Sequence, residues 1–252
     1  MNHQLNEIIK LLNRDQSHSP SHLFRDLCRM SAISIHQSVA FVEQSEQEYL
    51  QRIRAYDART ANLFPEMFAL IVDALETNPE QDFLGDVFEA GNMGNARSGQ
   101  FFTPYPISRF MASITMGDIH AQLQHKPYIT IGEPACGAGG MLIAARNEAV
   151  AQKVNLNTQV WMAATDIDRL CADMTYIQIS LLGVAGVVFW GNSLAVQVWD
   201  TMVTPVHKLF AWDMRRTRPC SEPEQHEETT PETMQETFEA LANAKGQYQM
   251  FG

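Results

Sequence analysis

Residues 128–145 read Tyr128-Ile129-Thr130-Ile131-Gly132-Glu133-Pro134-Ala135-Cys136-Gly137-Ala138-Gly139-Gly140-Met141-Leu142-Ile143-Ala144-Ala145. The run from Tyr128 to Ile131 is β-branched and short, as a strand requires, and GAGGMLIAARNEAV is a glycine-rich turn passing into an apolar helix. Downstream, Val160–Thr165 has strand composition, a helix is expected from Asp168 through Leu182, and Val187-Val188-Phe189-Trp190 is a third strand. Strand–helix–strand–helix–strand predicts an α/β fold with parallel pairing and helices on the sheet faces. Ligands of such sheets lie at the carboxyl ends of the strands, so the residues just after each strand are the candidate site.

The first strand ends in Glu133-Pro134-Ala135-Cys136-Gly137-Ala138-Gly139-Gly140. Its glycines let the backbone turn sharply and approach a ligand without a Cβ in the way, and the helix amides that follow face the same pocket. A tight strand–helix turn would need the same glycines for purely structural reasons. The second strand ends in Ala164-Thr165-Asp166-Ile167-Asp168. An acid here can accept hydrogen bonds from both ribose hydroxyls of a nucleoside, while one of Asp166 and Asp168 is needed to cap the next helix. The third ends in Gly191-Asn192-Ser193-Leu194, where Asn192 is either an amide for an adenine edge or an ordinary turn residue. Ahead of the sheet, Ser98-Gly99-Gln100-Phe101-Phe102-Thr103-Pro104 is an unusual loop, readable alone as a hydrophobic plug, with Pro106 near the first turn of a helix.

Residues 1–95 read as helices. Leu5, Ile8, Ile9 and Leu12 make one apolar face, and Ser19 or Ser21 can cap a helix carrying Leu23, Leu27 and Met30. A third is expected over Phe41–Tyr56, and Leu63, Met67, Leu70, Ile71 and Ala74 mark a fourth that stops before Asn78-Pro79. Asp82 caps a shorter one, DFLGDVFEAG, closed by Gly91.

Composition bounds the function. At 252 residues and 45% hydrophobic, the chain has ample material for a core. No run is long and apolar enough to cross a bilayer, and MNHQLNEIIKLLNRD lacks the basic start and apolar centre of a signal peptide. Cys28, Cys136, Cys171 and Cys220 are far apart, against a disulfide scaffold or a cysteine zinc site and in keeping with a reducing cytoplasm. The formal charge of −11 argues against coating nucleic acid by net attraction alone. It is unevenly placed: residues 220–252 hold seven glutamates against Lys245, −6, leaving −5 for residues 1–219. That segment reads as an acidic, solvated tail with one short helix over Pro231–Ala244. Arg215, Arg216 and Arg218 before it make a basic surface turn or, less simply, a phosphate-contacting patch. The division expected is residues 1–95 helical, 96–219 α/β and 220–252 tail.

Taken together, Phe83-Leu84-Gly85-Asp86-Val87-Phe88-Glu89, GQFFTP, EPACGAGGML, TDID and GNSL resemble the DNA adenine-N6 methyltransferases, in particular the methylation subunit of type I restriction–modification systems. The resemblance covers about residues 82–195. It implies a Rossmann-like S-adenosylmethionine-dependent methyltransferase fold, with S-adenosylmethionine as cofactor, double-stranded DNA as partner, and a specificity or catalytic subunit alongside. By that resemblance Gln100, Phe101, Phe102, Thr103 and Pro104 cover the cofactor, with Phe102 and Thr103 near its methionine part. Glu133, Pro134, Cys136, Gly137, Gly139 and Gly140 form the turn holding the amino-acid end. Asp166 takes the ribose, and Ile167 and Asn192 flank the adenine. Glu133 and Asn192 stand where the family commonly has Asp, and neither change removes a hydrogen-bonding group.

One departure is larger. In the family a fourth strand ends in (Asn/Asp/Ser)-Pro-Pro-(Tyr/Phe/Trp), which holds the flipped-out adenine and stacks on it. Positioning is needed because the exocyclic nitrogen is a poor nucleophile until its lone pair is freed. No Pro-Pro occurs in this sequence, and Asn78-Pro79-Glu80 lies in helical territory without the aromatic ring. The residues after Leu194 are too few for four more strands and a target-recognition domain. Val198-Trp199-Asp200 or Leu209–Asp213 can form one more strand, Asp213 being the nearest polar candidate for the base pocket. Trp199 and Trp212 are expected to pack at the edge of a shortened sheet, and His207 has no visible catalytic or metal partner. Three functions remain open on these residues. They are an adenine methyltransferase, a cofactor-binding accessory or regulatory subunit without turnover, and a small-molecule methyltransferase, against which the GQFFTP loop speaks.

Overall fold

The computed structural model describes residues 3–93 and 102–217. The amino-terminal helices are α1 (His3–Leu12), α2 (Pro20–Gln37), α3 (Glu43–Ile53), α4 (Ala58–Ala61), α5 (Leu63–Thr77) and α6 (Phe83–Ala90). Their ends follow local chemistry. Ser19 Oγ accepts the His22 amide with Pro20 at the first position of α2, and Asp82 accepts the Gly85 amide at the start of α6. Then come α7 (Tyr105–Thr115), α8 (Ile119–Leu123), β1 (Ile129–Glu133), α9 (Gly140–Ala151), α10 (Leu156–Gln159), β2 (Val160–Asp166), α11 (Arg169–Leu181), β3 (Gly186–Asn192), β4 (Gln197–Val203), α12 (Pro205–Leu209) and α13 (Trp212–Thr217).

The sheet order is β1-β2-β3-β4. β1, β2 and β3 pair parallel, with Glu133 opposite Ala164 and Asp166 opposite Trp190. Their carboxyl ends, and the motifs on them, therefore share one edge of the sheet. β4 corrects the expectation of a wholly parallel sheet, because it runs antiparallel to β3 with a bulge at Trp190/Gly191. The connection, residues 193–196, permits a hairpin and is too short for the crossover a parallel strand needs. Among the described residues no strand pairs with the outer edge of β1.

The strand alternation expected of a two-sided sheet is realised. Val160, Met162, Ala164 and Val188 face a core shared with α9, α11 and the amino-terminal helices, which extends from Ile8 to Met202. Trp161, Ala163, Val187 and Phe189 face the other way, under the fully buried Trp212 of α13 and the half-buried Val206 and Phe210. Leu209–Asp213 is thus helix and turn rather than strand. Trp212 packs edge-on against Tyr128, while Trp199 is 42% exposed and meets Trp190 edge-on at 5.1 Å. Helix α7 packs on α9 through Ser108 and Ala112, turning Ile107, Phe110, Met111 and Ile114 outward at 42–65% exposure. Among the described residues no helix is long and apolar enough to cross a membrane.

An ion-pair network joins the helical part to the sheet. Arg29 of α2 contacts Glu48 of α3 at 2.6 Å, the buried Asp173 of α11 at 3.3 Å and Asp200 of β4 at 3.9 Å. Arg169 closes it, reaching Asp173 at 3.3 Å and Asp200 at 2.7 Å.

Candidate functional site

The turn after β1 is shaped by left-handed glycines, Gly137 at φ 54° and Gly139 at φ 102°. A Cβ on Gly137 would stand 3.0 Å from the Phe102 ring, and one on Gly139 would meet Thr175 at 3.1 Å. The neighbours are that close because α11 holds the turn from beneath. Thr175 Oγ1 donates to the Gly137 carbonyl at 2.9 Å, and Gln178 Nε2 donates to the Ala138 carbonyl at 2.7 Å. The cap position of α9 is Gly139, which has no side chain to cap with, so among the described residues the first amides of α9 remain directed at the cleft.

Asp166 closes the turn from the end of β2. Its Oδ2 accepts the Gly137 amide and its Oδ1 the Asp168 amide, both at 2.9 Å. Each carboxylate oxygen keeps a lone pair for a further donor, as a ribose hydroxyl would be. Burial raises the Asp166 carboxyl above its usual range, and these two amides oppose that rise. Asp168 is the cap of α11, accepting the Leu170 amide at 2.9 Å. Asp168 therefore fills the capping role, and Asp166 is left to the turn. Glu133, raised by burial and by the neighbouring Asp166, accepts the Ala135 amide at 3.2 Å.

A cleft opens beside this turn, lined by Phe102, Thr103, Ala135, Cys136, Gly137, Gly140 and Met141 and, from outside the motifs, by Asp82 and Ser108. Phe102 also packs on Phe88 at 5.1 Å, which ties the loop to α6. Pro104 sits at the start of α7. The Cys136 thiol is buried and its pKa pushed well up, chiefly by desolvation, so Cys136 acts through its backbone and volume. Ile167 is 62% exposed, with its carbonyl fixed by Trp190 Nε1 at 3.1 Å. Asn192 spends its amide oxygen on the Ala195 N–H of the hairpin, the ordinary turn role. Gln100 and Phe101 lie outside the described residues, as do Arg218 and the acidic tail.

The residues that sequence reading missed as site-formers are Asp82, Ser108, Thr175 and Gln178. Asp82 Oδ1 accepts Gln178 Nε2 at 2.7 Å and the Gly85 amide at 3.0 Å, and Gln178 Oε1 accepts the Leu84 amide at 3.1 Å. Thr175 and Gln178, three apart and buried on α11, carried the signal: polar groups on a buried helical face need partners.

Asp213 is not a base-pocket acid. It accepts His207 Nε2 at 2.8 Å and Lys208 Nζ at 2.7 Å, which hold its carboxyl well below the usual range. His207 in turn accepts Trp161 Nε1 at 3.0 Å and is fully buried, a structural histidine of the sheet's second face. Arg216 lies 3.7 Å over the Trp161 ring, in the same cluster.

The fold and site together define an α/β protein whose glycine-rich turn and strand-end acid are joined in one cradle. The model of the N-6 DNA methylase family matches residues 79–217, over half of the chain, and the chain belongs to that family. Its function is accordingly methyltransferase-like. A solved structure from Listeria monocytogenes, whose assignment to the class I S-adenosylmethionine-dependent methyltransferases is itself provisional, is similar at 14% identity and a TM-score of 0.41, over 87% of this chain and 72% of that one. That likeness is too slight to bear on function. No curated protein matches.

Proposed function

We propose that this chain binds S-adenosylmethionine at the carboxyl ends of β1–β3 and serves methylation of adenine N6 in double-stranded DNA. The observation that carries the reading is the Gly137–Asp166 contact, which makes the glycine turn and the strand-end acid one preformed cradle. In this reading Gln100–Pro104 cover the cofactor and Glu133, Pro134, Cys136, Gly137, Gly139 and Gly140 surround its amino-acid end. Asp166 takes the ribose, while Ile167 and Asn192 flank the adenine. The residues present fit the group: the Asp166 oxygens keep acceptor capacity, and the α9 amides are uncapped. When bound, S-adenosylmethionine supplies an electrophilic methyl group. This chain's own residues bind and orient it and exclude water with Phe102.

A second reading is favoured by a specific observation. No Pro-Pro is present, and Asp213 is committed to His207 and Lys208. Under it the chain is a cofactor-binding accessory subunit, and the adenine pocket belongs to a partner chain of a restriction–modification system in the cytoplasm. Calorimetry with S-adenosylmethionine, followed by labelled methyl transfer to duplex DNA, tests both. Binding with incorporation into adenine, abolished in Asp166→Ala, supports the first. Binding without incorporation supports the second, and no binding overturns both.

A further inference from the structure

The cleft contains two polar groups that neither the motifs nor the family resemblance assigns. Asp82 is 5% exposed, and its Oδ1 is taken by Gln178 and the Gly85 amide. Its Oδ2 lies at the first residue of α9, where a Cβ on Gly140 would stand 3.1 Å away, and both hydrogen bonds that Asp82 accepts among the described residues fall on Oδ1. Ser108 is fully buried on the cleft wall, and among the described residues its Oγ has no hydrogen-bond partner. An unmade hydrogen bond at a buried hydroxyl is costly, and a buried carboxylate costs more unless a positive group meets it. The third component is the uncapped amino end of the 12-residue helix α9, which favours an anion.

A carboxylate, a hydroxyl and helix amides converging on one small cleft match a ligand that carries an ammonium and a carboxylate on one carbon. We propose that Asp82 and Ser108 complete the cleft as a seat for an α-amino-acid head group, the ammonium on Asp82 and the carboxylate on Ser108 Oγ and the first amides of α9. The proposal rests on the cofactor reading above and extends it to residues outside the matched motifs. Gln178 is then a positioning residue. By donating to both Asp82 and the Ala138 carbonyl it fixes the carboxylate against the glycine turn.

The alternative is that Asp82 only caps α6 and braces α9, and two ligands separate the cases. S-adenosylmethionine carries the head group, whereas 5′-deoxy-5′-methylthioadenosine has the nucleoside and thioether without it. Calorimetry on the full chain would compare wild type, Asp82→Asn and Ser108→Ala with both ligands, thermal melts confirming that each variant is folded. Asp82→Asn keeps the cap and the shape. It is expected to weaken S-adenosylmethionine binding about 10- to 100-fold, as loss of a charge-assisted contact does, and to leave methylthioadenosine binding unchanged. Ser108→Ala is expected to weaken S-adenosylmethionine binding several-fold with the same selectivity. Equal binding of S-adenosylmethionine by Asp82→Asn and wild type overturns the seat, as does equal loss of both ligands. Wild type that binds methylthioadenosine as tightly as S-adenosylmethionine overturns it too, while the nucleoside site stands. Wild type that binds neither overturns the cofactor reading and the seat together.

Discussion

The amide of Gly137 donates to Oδ2 of Asp166 across 2.9 Å, binding the turn after β1 to the end of β2. One carboxylate therefore shapes the cradle and offers acceptors to what the cradle holds. Asp166→Ala is expected to weaken S-adenosylmethionine binding more than about 10-fold and to lower stability by about 1–2 kcal/mol through the two lost amide partners. Calorimetry and denaturant melts read the two effects separately. A variant that binds as wild type does would remove Asp166 from the site.

Gly137 has no room for change. Gly137→Ala places a methyl group on a left-handed backbone and 3.0 Å from the Phe102 ring. The backbone cost alone is about 1–2 kcal/mol, and displacement of Phe102 should open the cleft wall. The expected result is a lower melting temperature together with weaker cofactor binding. Gly183, also left-handed at φ 72° but with nothing within 4 Å, supplies the control. Gly183→Ala should lower the melting temperature and leave binding intact.

Asp82 makes stability depend on pH. Burial raises its pKa from 3.8 to about 6, against the pull of Gln178 and Gly85 and with help from Asp86. Between those values the folded chain keeps a proton that the unfolded chain releases. The stabilising contribution is therefore present below pH 3.8 and is lost as pH rises through about 6. Asparagine at this position carries no such dependence. Melts of unliganded Asp82→Asn and wild type should accordingly diverge in favour of the variant as pH climbs from 4.5 to 7, by about 2 kcal/mol. A constant difference across that range would contradict the assignment.

Arg29 is the joint between the amino-terminal helices and the sheet. Arg29→Met leaves the 2%-exposed Asp173 with Arg169 as its remaining cation. Breaking a buried pair in this way typically costs about 3–5 kcal/mol, and the surviving Arg169 places this case near about 3 kcal/mol. Chemical denaturation checks the value. Because neither residue lines the cleft beside the glycine turn, S-adenosylmethionine affinity in the folded fraction should stay the same.

The outward side of α7 offers a contrasting case. Phe110→Ser and Ile114→Ser remove groups that are 65% and 63% exposed, so stability should move by less than about 0.5 kcal/mol. Light scattering should show less self-association, since grouped exposed apolar side chains favour it.

The sequence alone determined the βαβαβ core, because strand and helix periodicity and glycine turns are local signals. It also placed Asp166 at the end of β2 and left the cap of α11 to Asp166 or Asp168, a choice that the fold made in favour of Asp168. Two things escaped it. β4 runs antiparallel because the chain turns back within four residues, a matter of backbone reach that composition does not encode. The floor and far wall of the cleft come from partners distant in the chain, with Asp82 and Gln178 96 residues apart and Gln178 and Ala138 40 apart. A buried polar residue announces that it needs a partner. Which partner it finds was decided by the packing of α6, α7 and α11 around the glycine turn, where desolvation leaves no unmatched carboxylate or amide cheaply tolerated.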